Sequence, residues 1–533
     1  MTGPDPASTP NSSALAIQVR TAIERGELGP ASAAARALVL REKEKPEGYF
    51  LLGLVAEQAG QIEQALTLLG AAVQRGPLPE HLAQLARLQS LLRKDGDAAG
   101  NARHALALKP RDARTLDTIG CVFTRLGDHE GALQPFRQAV AAESDNLDFR
   151  YNLGAACGFT GRVEEARDQY EAILAADPDN DRAHYALAIL TRQTAGSNHV
   201  ERLEAALARA ENDASSLRIR YALAKEMEDL GDARSFNQLA SANAQHKRST
   251  GYDFSQDASI FDAIESVFGG PVDALHPGKS NFEDAPIFVI GMPRTGTTLV
   301  DRILSSHRDV GSAGELQAMP VAVKRLAGTA SRMVIDAETV WASAKVDPSE
   351  IASIYLEQAA HHRPQRVPRF TDKLPTNFLY VGHIARALPD ARIVCLRRNP
   401  LDTVWSNYKN LFASSSAYYG YSYDLMDTAR YFARFDRLMA LWERLFPEQV
   451  MQLSYEALVA DQLGQTQDLL AHCGLEWDEA CLSFHENRAS VATPSAAQVR
   501  RPINADGIGK WRTHATHLEP VRRWFENNGI EIA

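Results

Sequence analysis

Between Phe288 and Leu299 the chain reads FVIGMPRTGTTL. Three residue types in this stretch could hold an anion. Gly291 and Gly296 let the backbone turn its amides to one side, Arg294 supplies a fork of N–H donors, and Thr295, Thr297 and Thr298 supply hydroxyls. The glycine spacing is that of a nucleoside-triphosphate loop, G-x-x-x-x-G-K-[ST]. Here Thr297 stands where such a loop has its lysine, and the cation lies inside the turn. The device for gripping a β- or γ-phosphate with Mg²⁺ is missing, so the loop suits a nucleotide with one phosphate at its 5′ end. A second set lies in RIVCLRRNPLDTVWSNY, where Arg398 ends an apolar run and Ser406 follows eight residues later. Arginine offers a bidentate charged contact and serine a short hydroxyl, one from each side of a strand-to-helix turn. Alone, the same segment reads equally as a surface Arg-Arg pair with an incidental helical serine.

Taken with the first loop, this second set resembles the sulfotransferases. These transfer a sulfuryl group from 3′-phosphoadenosine-5′-phosphosulfate (PAPS) and release 3′,5′-adenosine bisphosphate. R-T-G-T-T is similar to their 5′ motif, and the resemblance implies that Arg398 and Ser406 hold the 3′-phosphate. Further matches narrow it to the tyrosylprotein sulfotransferases and their bacterial tetratricopeptide-bearing relatives, over about residues 285 to 515. Glu315, in SSHRDVGSAGELQAMP, stands where that family has its catalytic base, and Lys373, in FTDKLPTNF, resembles its catalytic lysine. Tyr455, in QLSYEAL, matches a donor-contacting tyrosine. SAAQVRRPINADGIGKW resembles the last donor segment, with Ser495, Asn504 and Lys510 as its contacts. His307 is a second candidate for the base. One departure is Asn410, where the tyrosylprotein enzymes carry an arginine four residues after the serine; donor grip there is expected to be weaker or to be supplied by neighbouring Lys409. The resemblance implies no metal, and the adjacent His361 and His362 lack ligand spacing.

The elements that position these residues differ between the two halves. Gly26 and Gly60, and again Gly127 and Gly161, lie 34 residues apart, and each is followed five residues later by Ala31, Ala65, Ala132 or Ala166. A glycine that tightens a turn and an alanine that lets two helices approach indicate stacked helical hairpins, similar to a tetratricopeptide array. A shortened copy is expected around Gly96 and a weaker one at RIRYALAKEMEDLGDARSFNQLASA. Behind residue 285 short apolar runs, PIFVIG, ARIVCLRR and EQVMQLSY, alternate with longer helical stretches, the pattern of a parallel sheet covered on both faces. The expected architecture is an α-solenoid followed by an α/β P-loop-like sulfotransferase domain with a central parallel sheet. Its expected divisions are a disordered terminus at 1–13, the array at 14–245, a linker at 246–284 and the enzyme domain at 285–533.

Composition sets outer limits. A net charge of −10 over 533 residues argues against a general nucleic-acid binder. No apolar run approaches the ~18 residues of a membrane span, and the first residues, MTGPDPASTPNSS, lack the pattern of an export signal. A cytoplasmic protein with five reduced, unclustered cysteines is the expectation. The acceptor implied by the resemblance is a protein tyrosine; the array either helps to bind it, binds another partner or only supports the enzyme. A glycan, lipid or small phenol would use the same donor machinery. A P-loop nucleotide kinase and a repeat scaffold with an inactive enzyme domain stay open as rival classes, and nothing in the sequence sets the oligomeric state.

Overall fold

The computed structural model describes residues 11–270, 285–364, 367–413, 417–487, 489 and 498–532. Packing divides the chain into two units, Met1–Cys157 and Gly158–Ala533.

In the first unit, helices pair as antiparallel hairpins: Ser12–Glu24 with Leu28–Arg41, Pro46–Gln58 with Ile62–Arg75, Pro79–Leu91 with Asp95–Ala107, and Ala113–Arg125 with His129–Ala142. Ala31, Ala65 and Ala132 are fully buried, as close helix contact requires. Between the paired helices, Gly26, Gly60 and Gly127 adopt φ of 72°, 75° and 83°, a left-handed conformation that glycine reaches without strain. Gly96 does not play this part, because it lies in the first turn of the Asp95–Ala107 helix. The turn there is made by Arg93 at φ 58°, 33 residues after Gly60 and 34 before Gly127. The third hairpin is therefore full-sized and in register; an arginine in the glycine's place hid it.

The second unit begins with further repeat-like helices, ending in the hairpin Asp213–Leu230 and Ser235–Thr250. The segment expected as a linker at 246–284 is, as far as it is described, helical. Ser255–Phe268 buries Phe261, Ile264 and Phe268 at helical spacing, and its glycines only end it. Phe268 packs edge-on against Trp442 with ring centroids 5.4 Å apart. Leu217, Tyr221, Leu239 and this helix belong to the same hydrophobic core as one face of the sheet, so packing draws no boundary at 245 or 284.

The sheet is parallel throughout, in the order β2-β3-β1-β4-β5: β1 Ile287–Gly291, β2 Val310–Ser312, β3 Arg369–Asp372, β4 Arg392–Arg397 and β5 Val450–Ser454. Alternate residues enter opposite cores. Phe288, Ile290, Ile393 and Cys395 face one, and Ile287, Val289, Val394 and Leu396 the other. Burial on both faces makes these strands continuous apolar runs. Strand order reverses at β1, which lies between β3 and β4, and a crevice opens at such a switch point beyond the carboxyl ends of the strands. Among the described residues no helix is long and apolar enough to cross a membrane.

Candidate active site

Each of the five strands delivers one candidate residue just past its carboxyl end: Arg294 after β1, Glu315 after β2, Lys373 after β3, Arg398 after β4 and Tyr455 after β5. After β1 the chain turns through Gly291 at φ 149°, Arg294 at 67° and Gly296 at 110°. A Cβ on Gly296 would lie 2.9 Å from Cδ2 of Tyr455, so both conformation and space demand glycine there. The helix Thr297–Ser305 opens directly behind, with no side chain capping its first amides. A helix N-terminus of this kind, here beside the buried Thr297 and Thr298, favours negative charge. Thr295 donates its hydroxyl proton to the Met292 carbonyl at 2.8 Å, which leaves its backbone N–H as its donor toward a ligand.

Beside this loop Arg398 donates through Nη1 to the Arg294 carbonyl at 2.8 Å and to Ser406 Oγ at 3.3 Å, and through Nη2 to the Gly507 carbonyl. The guanidinium carbon stands 5.1 Å from the Tyr455 ring centroid. Its Nε–H is buried and meets no acceptor among the described residues. Removal from water, and next the charge of Arg398, pulls the Arg294 guanidinium down to about 10. A guanidinium disfavoured in this way gains by meeting an anion.

On the other side of β1, Lys373 forms an ion pair with Glu315. The lysine side chain is 4% exposed and the glutamate 43%, so a buried cation is held by a carboxylate that reaches solvent. Asp301, one turn into the Thr297–Ser305 helix, accepts from Ser312 Oγ at 3.0 Å and from Thr371 Oγ1. Ser312 Oγ in turn accepts from the Gly314 amide at 3.2 Å, which fixes the backbone just before Glu315. Burial pushes the Asp301 carboxyl up, while Lys373 and its hydroxyl partners oppose that shift. Burial, and next the charge of Glu315, pushes the Tyr419 phenol up to about 12; its ring stacks on Phe412 with centroids 4.4 Å apart.

The model of the sulfotransferase family matches residues 286–479, and tetratricopeptide models match 18–79 and 124–190. Residues 286–479 form a sulfotransferase-family domain. An uncharacterized protein of Aquifex aeolicus is 34% identical over 293 residues, 54% of this chain and 38% of that protein. The protein-tyrosine sulfotransferase of Drosophila melanogaster is 23% identical over 244 residues, 43% of this chain and 48% of its own length. Protein-tyrosine sulfotransferase A of Caenorhabditis elegans is 24% identical over 242 residues, covering 42% and 60%. Each alignment thus spans less than two thirds of the relative. Among solved structures, the tetratricopeptide protein YrrB aligns over 96% of its length and 38% of this chain, with 17% identity and a TM-score of 0.28.

The sulfotransferase domain does not gather every expected residue. Ser495 lies outside the described residues. Asn504 is engaged in its own turn, donating to the Pro502 carbonyl and accepting from the Asp506 amide, both at 3.1 Å, and Lys510 is exposed. The ammonium of Lys409, one of the two readings for the donor grip beside Asn410, is bound to both Glu228 oxygens at 2.7 and 2.9 Å. Burial alone would raise the Glu228 carboxyl, but Lys409, with His514 and Trp405, outweighs it and holds the group below its ordinary range. His307 precedes β2, whereas Glu315 follows it. Its Nδ1 accepts from the Asp309 amide and its Nε2 contacts the Glu476 carbonyl, both at 3.0 Å, so the ring is fully engaged in structure.

Three residues that sequence reasoning missed hold the sulfotransferase domain's site in place. Buried Asp402 accepts from the Gly509 amide at 2.6 Å and the Trp511 amide at 3.0 Å, tying the C-terminal segment to the Pro400–Tyr408 helix. Buried Asn407 donates to the Pro293 carbonyl at 2.9 Å and so fixes the loop beside Arg294. Asp301 is the third. Asp402 and Ser406 share a helix face at i and i+4, the one signal the sequence carried; Asn407 and Asp301 stand in no motif.

Proposed function

We propose that the protein moves the sulfuryl group of PAPS to an acceptor hydroxyl, and that the acceptor is a tyrosine of a polypeptide. The observation that carries this reading is the convergence of Arg294, Arg398 and the Lys373–Glu315 pair on the carboxyl ends of the strands. That convergence is joined to a loop that lacks the triphosphate-binding lysine. The buried, unpartnered Nε–H of Arg398 and the uncapped helix at Thr297 fit a nucleotide phosphorylated at both its 3′ and 5′ ends.

The donor supplies the sulfuryl group and a 5′-phosphate leaving group. Arg294, the Thr295–Thr298 amides and the Thr297 and Thr298 hydroxyls hold that phosphate, while Arg398 and Ser406 hold the 3′-phosphate. The Tyr455 ring packs against both Gly296 of the loop and Arg398. Glu315 takes the acceptor's proton as the new O–S bond forms. Lys373 meets the negative charge that grows on the departing oxygen as the old S–O bond breaks. Positioning and charge carry such an in-line displacement, with no covalent work for the protein. In the structure Glu315 and Lys373 neutralise each other, so both are oriented before either partner arrives.

A phenol with an ordinary pKa of about 10 needs such a base, and Tyr419 beside Glu315, stacked on Phe412, offers an aromatic surface to it. The relatives named protein-tyrosine sulfotransferases and the tetratricopeptide repeats support a polypeptide acceptor. The five cysteines are all thiols, which supports a reducing, cytoplasmic location. Calorimetry tests the donor: 3′,5′-adenosine bisphosphate is expected to bind far more tightly than 5′-AMP, and tighter binding of Mg·ATP would point to a kinase instead. Incubation with radiolabelled donor and cell extract tests the acceptor. Label is expected in protein tyrosine; label in glycan or lipid would reassign the acceptor.

A further inference from the structure

Arg500 lies on the segment that carries Gly507, Gly509 and Trp511 to the Arg398 site, yet its own partner is a repeat turn. Its Nη2 donates to the Phe159 carbonyl at 3.2 Å, at the C-terminus of a helix, where a cation is favoured. The guanidinium also fills the space over Gly161, where an added Cβ would lie 1.6 Å from Nη1. Gly161 and Gly127 are equivalent repeat glycines, with φ of 82° and 83°, but nothing lies within 4 Å of a Cβ on Gly127. One copy of a repeated turn has thus become a seat for a side chain of the C-terminal segment.

The same segment completes the surroundings of Arg398. The Gly507 carbonyl accepts from Arg398, a Cβ on Gly507 would lie 2.7 Å from Tyr455 Oη, and Asp402 holds the Gly509 and Trp511 amides. We propose that the Phe159–Gly161 seat fixes Arg500 and that Arg500 thereby positions the 498–511 segment for donor binding. Arg500 is then a positioning residue, through which the state of a repeat turn sets donor affinity. The proposal rests on the donor assignment made above.

Matched variants of the full chain separate this from general destabilisation. Gly161→Ala and Gly127→Ala impose the same left-handed strain, but only the former drives Arg500 from its seat, and a flexible guanidinium can move away without unfolding the turn. The affinity for 3′,5′-adenosine bisphosphate is expected to fall about tenfold in Arg500→Ala, the loss of one hydrogen bond from a charged group. Gly161→Ala should match it, Gly127→Ala should stay at the wild-type value, and Arg500→Lys should recover part of the loss. Hydrogen exchange at the Gly509 and Trp511 amides, measured without nucleotide, should quicken in Arg500→Ala and Gly161→Ala alone. Wild-type affinity in Arg500→Ala, or equal effects of the two glycine substitutions, would overturn the proposal. Failure of the wild-type chain to bind the bisphosphate would instead overturn the donor assignment, and with it the role in donor binding. The exchange measurement would then still decide whether the seat orders the segment, unchanged exchange refuting it.

Discussion

Gly127 and Gly296 both hold left-handed backbone, at φ of 83° and 110°, but for different reasons. A Cβ on Gly127 would meet nothing within 4 Å, whereas on Gly296 it would lie 2.9 Å from the Tyr455 ring. At Gly127 the backbone alone selects glycine, from residues a few positions away. In the loop after β1 a neighbour delivered by a distant strand selects it as well. The first kind of glycine answers to local backbone alone and the second also to a contact between segments far apart in sequence.

Substitutions ordered by expected effect sharpen that contrast. The largest changes belong to the residues past β2 and β3. Glu315→Gln should lower turnover of radiolabelled donor by roughly 10²- to 10⁴-fold with donor affinity little changed. Lys373→Ala should lower it by about 10²- to 10³-fold. A Glu315→Gln protein with near-native turnover would remove the carboxylate from the chemistry. Next comes Gly296→Ala, where strain and the Tyr455 clash together should weaken bisphosphate binding by about 10²-fold in calorimetry. Native affinity in that variant would erase the distinction between the two glycines.

Arg398→Ala should raise the donor KM by roughly 10- to 100-fold and alter kcat less, because its contact is made before and during reaction alike. A loss confined to kcat would move Arg398 from binding to the chemical step. Gly127→Ala should cost about 1–2 kcal/mol of stability, seen as a lower urea midpoint, with donor affinity unchanged. Smallest is the reverse exchange: Arg93→Gly should stabilise the first unit by up to about 1 kcal/mol, since Arg93 occupies the same turn at φ 58°. No gain there would mean that Arg93 is held by its surroundings and not merely tolerated.

What could be read in the chain was what neighbours in sequence enforce. Glycines 34 residues apart, the alternating apolar runs of β1 and β4, and the eight-residue step from Arg398 to Ser406 all express local geometry. The reading failed where one residue departed from a pattern, as at Arg93, or where a short amphipathic helix stood between two recognisable regions, as at Ser255–Phe268. β2 and β3 escaped for a related reason. Thr371 and Asp372 are polar yet buried, Thr371 donating to Asp301 and Asp372 accepting from Tyr355, so β3 does not look like a buried strand.

The sequence by itself determined which residue types were on hand for anion binding and proton transfer, and how the backbone runs around each of them, because turns and periodicities involve only residues close along the chain. Only the tertiary structure decided that Lys373 is bound to Glu315, that Lys409 is bound to Glu228, and that Asp301, Asp402 and Asn407 carry the support of the site. Parallel pairing in the order β2-β3-β1-β4-β5 brings five distant segments to one edge, and burial there decides which polar groups face each other. No periodicity along the chain encodes those meetings, since each depends on packing between residues far apart in sequence.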